Sequence, residues 1–225
     1  MNSAIIVAAG RGTRMGPDVD KLFLPVAGRP VVAHTWERFD RHPDIHEVVV
    51  VVRAGMESAF AELAELHGFR KPHRFVPGGA ERQDSVAHGL AATDSSAHLV
   101  AIQDGARPCT APAVISRCLA AAQQAGAAVA AQRVTDTLKE SDGGHRVARH
   151  LDRSRLWAVQ TPQCFRREII ERALAAVRES GRQITDDTAA CELIGQPVEL
   201  VECPEPNPKV TQPGDVPWIE FLLRS

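Results

Sequence analysis

The residues best equipped for chemistry stand in three short, polar, glycine-bearing segments. The first is Ala8-Ala9-Gly10-Arg11-Gly12-Thr13-Arg14-Met15, followed by Gly16 and, a little later, Lys21. Small residues let a backbone approach a ligand closely, and exposed N–H groups there can cradle phosphate. Arg11, Arg14 and Lys21 add charge where a polyphosphate would lie. The second segment, GGAERQDSV from Gly78 to Val86, offers open backbone at Gly78 and Gly79 and donors at Arg82 and Ser85. The third, QDGARP from Gln103 to Pro108, puts Asp104 directly after an apolar run. That is the usual place for a carboxylate that holds Mg²⁺ beside substrate phosphates. Arg107 has the forked geometry to grip an anion with two parallel bonds. Each segment alone also reads as a turn or a capped helix start. Three such segments in one small chain favour a phosphate-bearing ligand.

Several other chemistries are excluded. The first segment is not a Walker A loop, which needs G-x-x-x-x-G-K-[ST]. It is a poor dinucleotide fingerprint, because Met15 stands where the third glycine belongs and Arg53 ends the second strand in place of a ribose-binding acid. None of the nine histidines lies in an H-E-x-x-H motif. The five cysteines are odd in number and contain no C-x-x-C pair, against a disulfide framework or a zinc ribbon. They read as buried small side chains in a reducing compartment. A net charge of -2 provides no global field for nucleic acid or an anionic membrane. Met1 to Gly10 lacks a basic leader region, and no apolar run reaches the ~20 residues of a membrane span. A cytoplasmic protein is expected. Only four of the 26 basic residues are lysine, so Lys21 and Lys209 stand out against an arginine background.

Short β-branched runs at 4–7, 47–52, 73–76, 98–103 and 127–134 alternate with helical stretches at 31–39, 57–67, 81–92 and 113–125. The alternation predicts one domain over 1–225, α/β and doubly wound around a mainly parallel sheet. Such sheets bind ligands beyond the carboxyl ends of their strands, where the three polar segments stand. Further helices are expected at 166–179, 186–194 and 216–223, with a strand at 198–202. The rhythm breaks over 134–160, which is polar and carries Gly143-Gly144 between short alternating runs. This reads as a protruding β-hairpin arm, since long loops in compact domains are usually functional or contact a partner.

Taken in order, these segments resemble the 2-C-methyl-D-erythritol 4-phosphate cytidylyltransferase family. The resemblance rests on AAGRGTRM with Lys21, GGAERQDSV, QDGARP, DTLK (Asp136 to Lys139), DRSRLWAVQTPQ (Asp152 to Gln163), TDD (Thr185 to Asp187) and KVTQP (Lys209 to Pro213). It implies a Rossmann-like nucleotidyltransferase fold acting on CTP, with Mg²⁺. It would set Ala8, Ala9, Gly79 and Ser85 around the cytosine and ribose. The backbone from Gly10 through Gly12 to Arg14, with Lys21, would hold the triphosphate, and Asp104 the metal and the cytidine. Arg107, Thr137, Arg153, Thr161 and Lys209 would bind the acceptor phosphate. It also implies a homodimer with arm exchange, Thr137 and Arg153 serving the neighbouring subunit. Two departures stand out: Asp20-Lys21-Leu22 replaces the family's Pro-Lys-Gln, and Ala80 takes a position often polar.

The implied reaction joins CMP from CTP to 2-C-methyl-D-erythritol 4-phosphate and releases pyrophosphate. Arg14, Lys21 and Lys209 would be its catalytic cations. The same chemistry on ribitol 5-phosphate is the nearest alternative, and a non-catalytic nucleotide-binding protein is the alternative of another class.

Overall fold

The structure, a computed structural model, describes residues 1–10, 12 and 20–224. The chain runs β1 (Asn2–Ala8), β2 (Pro25–Val26), β3 (Arg29–Pro30), α1 (Val31–Asp40), β4 (Glu47–Val52), α2 (Glu57–His67), β5 (His73–Pro77), α3 (Arg82–Ala92), β6 (Leu99–Asp104) and α4 (Pro112–Ala125). It continues with β7 (Ala127–Arg133), β8 (Lys139–Ser141), β9 (Val147–His150), β10 (Trp157–Arg166), α5 (Arg167–Ser180), α6 (Asp187–Leu193), β11 (Glu199–Glu202) and α7 (Val216–Arg224).

Seven strands form one sheet in the order β11-β7-β10-β6-β1-β4-β5. β10 is antiparallel to both of its neighbours, and the other pairings are parallel. Helices cover both faces, which is why β4 reads as one glutamate and five valines, all buried. Side chains alternate across β1. Ala4, Ile6 and Ala8 pack with Trp36, Phe60 and Ile115 on one face, and Ile5 packs with Val86, Leu90 and Ile170 on the other. The chain leaves β1 for β4 and β5, then crosses back to pair β6 on β1's other edge. That reversal opens a crevice at the carboxyl ends of β1 and β6, beside Ala8 and Asp104.

The helices and parallel strands lie within a residue or two of their expected spans. β10 does not appear among those expectations. Its middle, Gln160-Thr161-Pro162-Gln163, is polar and contains proline, a pattern that argues against a central strand. The strand accommodates it with a shift in register between Val159 and Gln163. Consequently the arm differs from its expected limits of 134–160. Its exposed hairpin is β8 and β9, and residues 157–159 already pair with β7. β8 and β9 pair with each other and with no strand of the main sheet. At the arm's base the Arg133 guanidinium lies 4.3 Å from the Trp157 ring centroid, a cation–π contact. No helix among the described residues is long and apolar enough to cross a membrane.

Candidate active site

Four segments distant in sequence meet at the crevice. Asp104 ends β6, and its Oδ2 accepts a 2.8 Å hydrogen bond from Lys209 Nζ. Arg107 Nε lies 3.5 Å from the same oxygen, and Arg82 Nε lies 3.7 Å from Oδ1. Lys209 arrives there because the next residue, Val210, donates its N–H to the Ala106 carbonyl at 2.8 Å. The Val210 carbonyl in turn accepts from Lys21 Nζ at 3.2 Å. Lys21 and the C-terminal segment are thereby joined at one spot.

A second layer holds these groups. The backbone N–H of Asp104 donates to Thr161 Oγ1 at 3.1 Å. Asn207 is 1% exposed; its carbonyl accepts from Arg107 Nη1 at 2.7 Å and its Nδ2 donates to the Thr161 carbonyl at 2.9 Å. Arg82 also reaches Asp187, which is fully buried, with Nη1 and Oδ2 2.8 Å apart.

The electrostatics follow from these distances. Burial alone would push the Asp104 carboxyl up, but Lys209, Arg82 and Arg107 outweigh it and hold the group below the usual carboxylate range. Asp104 is therefore ionised at neutral pH. Burial pushes Asp187 above that range, against the pull of Arg82. Four cations (Lys21, Arg82, Arg107 and Lys209) thus share the region with two carboxylates. The local surplus suits an anionic ligand although the whole chain is slightly acidic.

The cleft itself holds about 210 Å³, with Ala9, Gly10, Lys21, Gly79, Arg82, Ser85, Asp104 and Lys209 in its walls. Much of that wall is bare backbone, and it must be. A Cβ on Gly79 would lie 2.2 Å from Asp84 Cβ, and one on Gly78 2.4 Å from Ala9 Cβ. The Gly79 N–H is fixed by Ser85 Oγ at 3.1 Å. Gly12 has φ of +63° and packs on the Lys21 stem, where a Cβ would stand 2.9 Å from Cδ.

Residues 2–225 match the family model described as IspD: 2-C-methyl-D-erythritol 4-phosphate cytidylyltransferase. The chain belongs to this family. The 2-C-methyl-D-erythritol 4-phosphate cytidylyltransferase of Desulforamulus reducens is 44% identical over 224 residues, 98% of this chain and 95% of its own. That of Pelotomaculum thermopropionicum is 41% identical over 224 residues, 99% of this chain and 94% of its own. Among solved structures, the 4-diphosphocytidyl-2C-methyl-D-erythritol synthase of Anaerococcus prevotii superposes with a TM-score of 0.88 at 28% identity, covering 99% of this chain and 96% of its own. The 2-C-methyl-D-erythritol 4-phosphate cytidylyltransferase of Thermus thermophilus gives 0.80 at 33% identity over the full length of both chains.

The family motifs land unevenly on the site. Ala9, Gly10, Lys21, Gly79, Ser85, Asp104 and Lys209 come together around the cleft. Arg14, and Arg11 with it, lies outside the described residues. Ala8 closes β1 behind the lining, 3% exposed. Thr161 is 3% exposed, and its hydroxyl serves the Asp104 backbone. Arg107 turns inward to Asn207 and Asp104 and borders a neighbouring groove of about 410 Å³ with Val159 and Trp218. Thr137 and Arg153 are exposed on the arm and its return, where Arg153 donates to the Thr135 carbonyl.

Three supporting residues have no role that the sequence assigns: Asp187, Gln163 and Asn207. Their signals were present in TDD, QTPQ and the Asn-Pro before Lys209, but a buried brace leaves no spacing rule to read. For a metal, the donor set is sparse. Among the described residues no three His, Cys, Asp or Glu side chains gather. A single carboxylate in a cationic cleft still fits Mg²⁺, which keeps several waters and takes most of its remaining ligands from substrate phosphates.

Proposed function

We propose that the family's reaction runs in this cleft: the CMP part of CTP passes to the phosphate of 2-C-methyl-D-erythritol 4-phosphate, and pyrophosphate leaves. The observation that carries this reading is the convergence of Lys21 and Lys209 on Asp104 and Val210 at the switch point of the sheet. A pure binding module has no need of two lysines at one spot between strand ends.

Nucleotidyl transfer asks little covalent help of a protein. The acceptor phosphate is already a nucleophile and must be set in line with the α-phosphorus. The glycine backbone at Gly10, Gly78 and Gly79 admits the nucleotide without side chains in its way. Lys21, with Arg14 of the same sequence segment, neutralises charge on the departing pyrophosphate. Lys209 sits on Asp104 and draws the acceptor phosphate toward the α-phosphorus, so positive charge is in place before the reaction begins. Asp104, ionised and braced, orients Lys209 and faces the ribose side. Mg²⁺, when bound through Asp104, would supply charge neutralisation across the CTP phosphates. No covalent intermediate and no general base are required.

Arg107, Thr137, Arg153 and Thr161 complete the acceptor side in this proposal. The exposed position of Thr137 and Arg153 supports their service to a neighbouring subunit, with the hairpin as the exchanged arm of a homodimer. Five free cysteines, four of them buried, support a reducing, cytoplasmic setting.

Pyrophosphate release with Mg²⁺ and an acceptor panel tests the reading. Release with CTP and 2-C-methyl-D-erythritol 4-phosphate, and not with ATP, GTP or UTP, is the expected result. Release with ribitol 5-phosphate alone would keep the chemistry and replace the acceptor. CTP binding without release in any combination would leave a nucleotide-binding protein and overturn the reaction.

A further inference from the structure

Three consecutive residues at the start of α3 are tied to one short segment, 182–187. Glu81 Oε2 accepts from Gln183 Nε2 at 2.6 Å. Gln83 Nε2 donates to the Arg182 carbonyl at 3.2 Å, while its Oε1 accepts from the Ile184 N–H at 3.0 Å. Between them, Arg82 makes its ion pair with Asp187. That segment is itself pinned to the sheet. Gln163 on β10 accepts the Asp187 N–H at 3.0 Å and donates to Asp186 Oδ2 at 3.1 Å.

Asp187 is an expensive residue to keep. It is 0% exposed, and its Oδ1 has no hydrogen-bond partner. Burying an ion costs several kcal/mol after relaxation, and its partner's attraction repays this only when geometry is good. Its contact with Arg82, at 2.8 Å, is an ion pair rather than a well-aligned hydrogen bond. A stability role alone would be met as well by an apolar side chain. What distinguishes the position is where Arg82 goes. Its Nε is 3.7 Å from Asp104 Oδ1, and its partly exposed side chain forms one wall of the cleft. Without Asp187, the carboxylates left near Arg82 are Asp104, which already carries Lys209 and Arg107, and Asp186, which Gln163 and Thr188 hold.

We infer that Asp187 is a positioning residue for nucleotide binding: it anchors one end of the Arg82 guanidinium while Asp104 lies by the other, and so keeps Arg82 in the wall of the cleft where CTP binds. The inference rests on the reading of the cleft given above. Its consequence is that Arg82 and Asp187 act as one unit on the nucleotide and leave the acceptor side alone.

A double-mutant cycle on CTP affinity tests this, measured by calorimetry on the full chain with Mg²⁺ and no acceptor. Losing one charge-assisted hydrogen bond predicts that Arg82→Gln and Asp187→Asn each weaken binding about tenfold. The double variant should weaken it about tenfold as well, not the hundredfold of independent sites. The acceptor KM should stay within about threefold in each variant. A purely structural Asp187 would lower Tm and leave CTP affinity unchanged, which overturns the inference, as does additivity in the double variant. If Asp187→Asn does not fold, Asp187→Glu, which keeps the charge at a changed reach, replaces it in the affinity measurement: weaker CTP binding supports the inference, and wild-type affinity overturns it. Wild type that fails to bind CTP would sink the functional reading and this inference with it. Wild type that binds while Asp187→Asn is unaffected sinks the inference only.

Discussion

The carboxyl edge of the sheet and the hairpin of β8 and β9 are built on opposite terms. At the edge, Asp104 is 8% exposed and faces three cations, and the residues behind it (Thr161, Asn207 and Gln163) each hold two or more others in place. In the hairpin every residue from 139 to 150 is exposed, and its ion pair, Arg149 with Glu140, is open to water. Charges fixed in a partly dry cleft keep their orientation and suffer little screening, which is what transition-state stabilisation needs. A surface pair is worth about 0–1 kcal/mol and organises nothing by itself. The difference teaches that the body fixes the charges of its cleft from within, whereas the hairpin's own contacts fix little beyond the hairpin itself.

The contrast can be broken first at Lys209. Lys209→Ala should lower kcat by about 10²- to 10³-fold, the loss seen when one preorganised donor is removed. Because Lys209 is half-exposed, circular dichroism and Tm should remain near wild type; a rate near wild type would remove it from the reaction.

Next is Arg153. Arg153→Ala should lower kcat/KM by about 10- to 100-fold through loss of a charged contact to the acceptor, with Tm unchanged as expected of an exposed residue. An equal loss of Tm would make its role structural and erase the contrast.

Gly79→Ala falls between the regions in kind, since it alters backbone shape and no charge. The clash with Asp84 should cost about 1–3 kcal/mol in stability and raise the KM for CTP about tenfold, with the acceptor KM unmoved. Steady-state titration of each substrate separates the two.

The smallest effect concerns pH and belongs to the body alone. Burial holds His34 and His42 below the ordinary histidine value of 6.5. The unfolded chain therefore takes up protons that the folded one resists, so stability is full above that value and declines as the pH falls through it. Between about pH 7.5 and 5.5, Tm should therefore fall as the pH is lowered. His34→Gln/His42→Gln should flatten that slope, as read by thermal melts across the range.

Much of this arrangement is legible in the sequence. The five valines of β4, the alternation of β1 and the helical spacing of Val31, Val32, Trp36 and Phe39 follow rules that act over a few residues. So do the glycines at strand ends, and Asp104 and Lys209 could be picked by type and context. β10 escaped because its pairing is decided by β6 and β7, two strands far away in sequence, while its own Thr161-Pro162 argues for a break. Asp187 escaped because its meaning depends on Arg82, 105 residues earlier and visible as a partner only once α3 and α6 are packed. Thr161 and Arg107 could be singled out, Thr161 through the family resemblance, but not that Thr161 would support the Asp104 backbone or that Arg107 would turn to Asn207. Local patterns specify elements and polar strand ends; the braces between them are properties of the tertiary structure.

The comparison turns on whether arm and body serve one reaction in different subunits, and subunit mixing asks that directly. Lys21→Ala and Arg153→Ala, each impaired alone, are combined after brief exposure to mild denaturant to exchange subunits. If each site takes its cleft from one chain and its arm from the other, mixed dimers contain one site with both wild-type residues, and pyrophosphate release should rise well above either parent. Activity that stays at the parental level after verified exchange would mean that cleft and arm do not combine across subunits, and would contradict the account.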